Sequence, residues 1–260
     1  MQPLLRRIGV IAKNTFREAV RDRILYNLVL FALLIIAGAI LLGELTDGQE
    51  ARTIVNLGLA AMLFFGAFIA VLVGVGLVSK EIEKRTIYAI FAKPVTRSEF
   101  IVGKFLGLAV TLAVNVVVMG VGVSLALLYV GGHDLAWSIW PAVFLIFMEL
   151  TVVTAVAILF SSFSSPALSA LLTFFVFLIG HFSTSLREVA QGLGSSGAKF
   201  FFDAIYFLLP NLSHFSFATN ASHGDVPPWT MLLGSSAYAI VFDIVLVAIT
   251  VLIFRRRNFK

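Results

Sequence analysis

No cysteine occurs anywhere in the 260 residues, which excludes disulfide frameworks, thiolate metal sites and a cysteine nucleophile. Charge is scarce as well. Asp, Glu, Lys and Arg make up 13% of the chain against 60% hydrophobic residues, about half the charged share of a soluble domain. A soluble fold of this length cannot bury so much apolar surface, so the solvent of this chain is a bilayer. There is no Gly-x-x-x-x-Gly-Lys-Ser/Thr loop, so the chain does not bind ATP by that route. Histidine is rare too, and the spacing of His214 and His223, with Asp225 nearby, matches no ligand motif, so no metal site is expected. The first 23 residues carry six basic groups and no apolar core of signal-peptide length. The first apolar run, from Ile24, has no small-residue cleavage site after it and reads as a retained span.

What is present in quantity is apolar sequence in long runs. Six are candidate spanning helices, at 24–43, 57–78, 103–130, 139–160, 166–183 and 234–254, each near the 20 or so residues that a crossing needs. The third is long enough to tilt or to continue into water. Ser165 and Pro166 suit a tight turn and a helix start between the fourth and fifth. Lys and Arg number six in 1–23, six in 79–104 and four in 255–260, against one in 44–56 and two in 184–233. With six spans this 16-to-3 split places both termini and the 79–104 segment in the cytoplasm. The net charge of +5 therefore reflects topology and lipid head groups rather than nucleic acid. The expectation is an all-α polytopic protein, residues 1–260 forming one membrane domain in a bacterial inner membrane.

Two segments outside the spans have structure of their own. In residues 4–22, Leu4, Ile8, Ile11, Ala12, Thr15, Phe16, Ala19 and Val20 form one stripe at helical spacing, with Arg6, Arg7, Lys13, Arg17, Glu18 and Arg21 largely on other faces. That pattern predicts an amphipathic helix over 1–23 lying in the inner interface. Residues 184–233 are too broken for a span and too apolar for a free loop, and predict one or two short helices packed at the outer face. Glycines four apart, Gly103 and Gly107, and the glycines of the second span, Gly66, Gly74 and Gly76, are suited to close helix approach.

The charged island at 79–107 holds nine ionisable side chains, among them Glu81, Glu83, Arg85, Arg97, Glu99 and Lys104. A topological anchor would account for its basic residues. It would not account for the three glutamates or for the apolar Tyr88, Ile90 and Phe91 between charges. Pro94 ends one helix, and Thr96-x-x-Glu99 has the spacing of a capping box opening the next. Helix, hard turn and capped helix make a rigid protrusion at 79–102, suited to docking a soluble protein.

These residues also carry a resemblance. Glu81, Thr86, Ile90 and Phe91, Pro-Val-Thr-Arg at 94–97 and Gly103-Lys104 resemble the signature of type 2 ABC transporter permeases, departing from it at Arg85, where glycine is usual. The N-terminal helix, the span count and Leu-Leu-Pro-Asn-Leu at 208–212 extend the likeness. The nearest branch is that of the multi-copper enzyme and nitrous oxide reductase maturation permeases. The resemblance implies that 79–102 is a coupling helix received by a separate ABC ATPase subunit, which would hold ATP and Mg. Glu81, Glu83, Arg85, Thr86, Tyr88, Ile90, Phe91, Pro94 and Arg97 would form the docking face. It implies an exporter built from two permease copies or a copy and a paralogue, with a periplasmic accessory protein as a further partner. A non-transporting anchor or mechanical transducer shares the docking loop. An intramembrane lipid-modifying enzyme would need an acid–base constellation that His214, His223 and Asp225 supply poorly.

Two acids, Glu149 and Asp243, fall near mid-span. An acid at that depth costs about 2.5–3.5 kcal/mol and by default marks function. No Lys or Arg of the spans is placed to pair with them, so hydrogen bonds to Thr151, Thr154 or Thr173, or a polar path, are the alternatives.

Overall fold

The computed structural model describes residues 4–44, 46, 48–83, 95–184, 188 and 209–256. The described residues are helical, with no strand among them. In chain order the helices are α1 (Leu4–Val20), α2 (Arg23–Glu44), α3 (Glu50–Glu83), α4 (Arg97–Tyr129), α5 (His133–Ser138), α6 (Trp140–Ser161), α7 (Pro166–His181), α8 (Ala218–Ser222) and α9 (Trp229–Arg256), with a 3-10 turn at Leu212–Phe215.

Length separates the helices into two kinds. The 22 residues of α2 span about 33 Å, close to the hydrocarbon thickness. The 34 residues of α3 and 33 of α4 reach about 50 Å each, well past it. Their surplus turns carry Lys80, Glu81 and Glu83 at the end of α3 and Arg97, Glu99 and Lys104 at the start of α4. Both helices therefore run out into water on the same side. The opening of the charged island, 79–83, continues the second span rather than starting a separate helix.

Five described helices are long and apolar enough to cross a membrane. The fifth of the six expected spans corresponds to α7, a shorter apolar helix of 16 residues, about 24 Å. Hydropathy continues through 183, but the helix stops at His181. Just beyond, the Ser183 hydroxyl donates to Asn211 Oδ1 at 2.6 Å. At the other end of α7, Ser165 is the N-cap and Pro166 opens the helix.

The core lies where α3 and α6 cross. Ile54, Leu59, Met62 and Ile69 of α3 and Leu145, Leu150 and Val152 of α6 are fully buried. A Cβ on Gly66 would sit 2.5 Å from Leu150 Cδ1, so glycine is what lets the two axes meet. α2 and α9 are the least enclosed, with 22% of their apolar windows buried against 72% for His133–Ser161. Their outer faces, including Leu30, Leu34, Leu41, Ile244 and Leu252, are apolar surface that a bilayer accepts and water does not.

Turns are closed by local chemistry. Gly131, at φ +81°, ends α4 in a Schellman motif, with Gly132 N donating to Leu127 O at 2.8 Å and Gly131 N to Leu128 O at 3.3 Å. The 3-10 turn and α8 pack on α3, α6 and α7, burying Leu212, Phe215 and Ala221.

Candidate functional site

The richest chemistry gathers at the charged ends of α3 and α4. α1 lies against α4 because α4 presents glycine there. A Cβ on Gly107 would approach Thr15 Cβ to 2.5 Å and Ala12 O to 2.6 Å, and one on Gly103 would meet Ile11 Cγ2 at 2.6 Å. The apolar stripe of α1 thus packs partly on protein, burying Thr15 and Ala19. Leu4, Leu5 and Val10 stay exposed, available to the interfacial lipid.

Lys104 sits between the two glycines and is 3% exposed. Its Nζ lies 2.7 Å from Glu81 Oε1 and 3.1 Å from Glu18 Oε2, and 5.8 Å from the Phe100 ring centre. A buried ammonium is tolerable only with such partners. Burial pushes the Glu81 carboxyl above its ordinary value, opposed by the attraction and hydrogen bond of Lys104. One side chain therefore ties α1, α3 and α4 together.

Glu99, also 3% exposed, makes a second tie. Its Oε2 accepts from Thr96 N at 2.8 Å, and Thr96 Oγ1 accepts from Glu99 N at 3.3 Å, so both bonds of the capping box form. Its Oε1 lies 3.3 Å from Arg7 Nη1, joining the cap to α1. A third tie reaches α9. Arg97 Nη1 donates to Phe254 O at 2.8 Å and Arg255 O at 2.9 Å, satisfying carbonyls left open at a helix C-terminus. Phe100 stacks on Phe254 at 5.9 Å.

Of the residues read as a docking face, Glu81 and Arg97 are thus engaged within the chain, at the two roots of the loop. The side chain of Glu83, and Arg85, Thr86, Tyr88, Ile90, Phe91 and Pro94, lie outside the described residues, as does the short helix expected there.

The two membrane acids are apart and differently furnished. Glu149 on α6 is 1% exposed, and its Oε1 is 2.9 Å from His181 Nδ1 on α7. The threonines expected to serve it instead bond their own helices, Thr154 to Leu150 O and Thr173 to Ser169 O. The signal for His181 was available as hairpin arithmetic. Glu149 lies 12 residues before the end of α6 and His181 15 residues after the start of α7, about 18 and 22 Å from their common turn. Asp243 lies on α9, and Thr151 of α6, one of the threonines expected to serve it, instead donates to Met148 O of its own helix at 2.8 Å. The Asp243 Oδ1 is buried without a partner among the described residues.

Asn211 organises a polar knot. Its Oδ1 accepts from Ser183 Oγ and Ser213 Oγ, both at 2.6 Å, while its backbone N donates to Tyr238 Oη on α9 at 2.8 Å. His214 joins it through Asn211 Nδ2 at 3.3 Å. His223 Nδ1 instead lies 2.9 Å from Thr219 O on its own helix. No group of three or more metal-ligating side chains gathers among the described residues.

A bundle of apolar helices with two overlong members joined by a buried ion-pair cluster defines a multi-pass membrane protein. A family model described as ABC-2 family transporter protein matches residues 10–259, and the chain belongs to that family. No curated protein matches it. Membership makes the chain a membrane permease component of an ABC transporter, which works with an ABC ATPase subunit, rather than a catalytic enzyme.

Proposed function

We propose that the chain is the permease subunit of an ATP-driven exporter and receives the stroke of a separate ATPase through the 79–102 coupling loop. ATP and Mg belong to that ATPase, and two permease copies, identical or paralogous, complete the transporter. The single observation that carries this reading is Lys104, held by Glu18 of α1 and Glu81 of α3 at the root of the loop. A push on the loop cannot be absorbed locally, because both of its roots are tied to neighbouring helices. It passes into α4, which continues from its Thr96 cap to Tyr129 without interruption. In this reading α7 completes a sixth crossing, both termini face the cytoplasm of a bacterial inner membrane, and 184–233 faces out.

The test has two parts. In this cysteine-free chain, Glu83→Cys should resist and Ser195→Cys accept an impermeant thiol reagent applied to intact cells; labelling of position 83 would reverse the topology. In proteoliposomes holding the chain with its ATPase, Phe91→Asp should lower ATPase co-purification and stimulation while the chain still inserts. Unchanged assembly and stimulation would remove the docking role of the loop. The anchor or transducer reading separates from this one at transport: it expects stimulated hydrolysis with no movement of any solute.

A further inference from the structure

We infer that the face of α1 turned away from α4, with Arg6, Lys13, Arg17 and the adjoining Arg21, is a binding surface for the headgroups of anionic phospholipids. Thr15 shows which side of α1 meets protein, since it is buried over Gly107 of α4. Lys13 and Arg17 each lie two residues from Thr15, a step of about 200° on a helix, and so point away from that seat. Arg6 lies seven residues before Lys13 on the same face. These three and Arg21 are all exposed, and none forms an ion pair among the described residues. Arg7, by contrast, is taken by Glu99. The one acid of α1, Glu18, is engaged by Lys104. The outward face thus carries four cations and no acid of α1.

Position and composition choose the occupant. Arg21 stands four residues before Leu25, where the apolar crossing of α2 begins. Tyr26, next in the chain, is exposed, as a tyrosine is at a headgroup boundary. The headgroup layer is about 5–8 Å thick on each side of the hydrocarbon, so Arg21, and Arg17 one turn before it, lie at the depth of the lipid phosphates. Val10 is exposed among the cations, and Leu5 beside them is 80% exposed. Apolar side chains interleaved with basic ones suit a layer of phosphate over acyl chain and are poorly served by water. Three of the four cations are arginines, whose planar forks engage phosphate oxygens at two points. A zwitterionic headgroup brings its own ammonium, for which this face has no acid, so a headgroup of net negative charge is preferred. Binding is a property of the chain in any bilayer; that the leaflet is the cytoplasmic one rests on the topology proposed above, which the thiol labelling tests by itself.

The experiment uses the full chain in phosphatidylcholine nanodiscs doped with one of two photoreactive lipids, phosphatidylglycerol or phosphatidylcholine, each with a diazirine at the top of one acyl chain. Cross-links are mapped by mass spectrometry, and labelling within 4–22 is normalised to labelling within 166–181. The glycerol lipid should exceed the choline lipid at 4–22 by about fivefold or more, the factor that one basic residue contributes at an anionic surface. The excess should fall as salt is raised, because screening shortens the reach of the charges, and this needs no substitution. Lys13→Gln with Arg17→Gln leaves four of the six basic residues of 1–23 and should bring the two lipids close to parity, while Lys13→Arg with Arg17→Lys keeps the preference. Parity in the unaltered chain, or a preference indifferent to both salt and the double Gln variant, would overturn the site. Parity together with loss of ATPase co-purification in the double Gln variant would overturn it in favour of an acidic protein surface on this face. A preference that persists in a chain whose thiol labelling reverses the topology would leave the site standing and count against the leaflet clause.

Discussion

Replacing Lys104 with Met keeps the length and apolar stem of the side chain and removes only the charge that joins three helices. Glu81, 17% exposed at its side chain, would be left with no counter-charge from Lys104 at 2.7 Å. Removing one member of a largely buried pair costs about 3–5 kcal/mol. Glu18 is 48% exposed and rehydrates, so its share is about 0–1 kcal/mol. The expected loss is therefore dominated by Glu81. Combining Lys104→Met with Glu81→Gln should recover much of it, with an interaction energy of about 2–3 kcal/mol, the upper part of the range for contacting pairs. The sign of the pH dependence is also set. The Glu81 carboxyl already lies above its ordinary value of 4.5 in the folded chain. Losing Lys104 raises it further. An acid raised by folding contributes stability below its unfolded value and loses it as pH rises through the folded one. The deficit of Lys104→Met should thus be large near neutrality and shrink toward acid pH. Thermal or denaturant unfolding of the four members of the cycle in mild detergent, at neutral and acid pH, reads all of this. Strict additivity of the two substitutions, or a deficit that grows on acidification, would refute the ion-pair account of the cluster.

Gly107→Leu should push α1 off α4, costing about 1–3 kcal/mol as overpacking does, visible as new proteolysis within 1–23 at unchanged insertion. Arg97→Ala should cost about 1.5–3 kcal/mol, the range for charged hydrogen bonds, and loosen the end of α9, measurable as faster hydrogen exchange at residues 250–256, while Arg97→Lys recovers only part. Glu149→Gln should be tolerated, because an amide still bonds His181, whereas His181→Leu leaves Glu149 alone at 1% exposure and should lower thermal stability and ATPase stimulation together; equal behaviour of the two variants would detach the pair from both.

Much of this architecture could be read before any coordinates. Span positions, the Thr96 cap and the close approach at Gly103 and Gly107 are local matters, settled by hydropathy, a four-residue spacing and the absence of a Cβ. What escaped reading was tertiary. Arg97 binds carbonyls 157 and 158 residues away, and a backbone acceptor leaves no trace in side-chain sequence. α7 reads as a full span because its apolar run continues to 183, yet the helix closes at His181, and the Ser183–Asn211 bond beyond it joins residues 28 apart. Glu149 and His181 sit in separate helices, and scanning each helix for a partner misses a pair made across a hairpin. Asp243 was visible as an acid at depth, but that its Oδ1 is enclosed without a partner among the described residues depends on how the helices pack around it.

The seat of α1 has a consequence for how the protein is made. α1 leaves the ribosome before α4, yet its glycine groove and Lys104 lie on α4, 86 residues after Glu18. At about 5–20 residues per second, roughly 4–17 s of synthesis separate the two. Throughout that interval the helix lacks its seat on α4, and the bilayer surface is the host its apolar stripe suits. The same stripe therefore serves two hosts in turn, lipid during synthesis and α4 afterwards, and the docking of α1 marks the moment at which the loop acquires a rigid root.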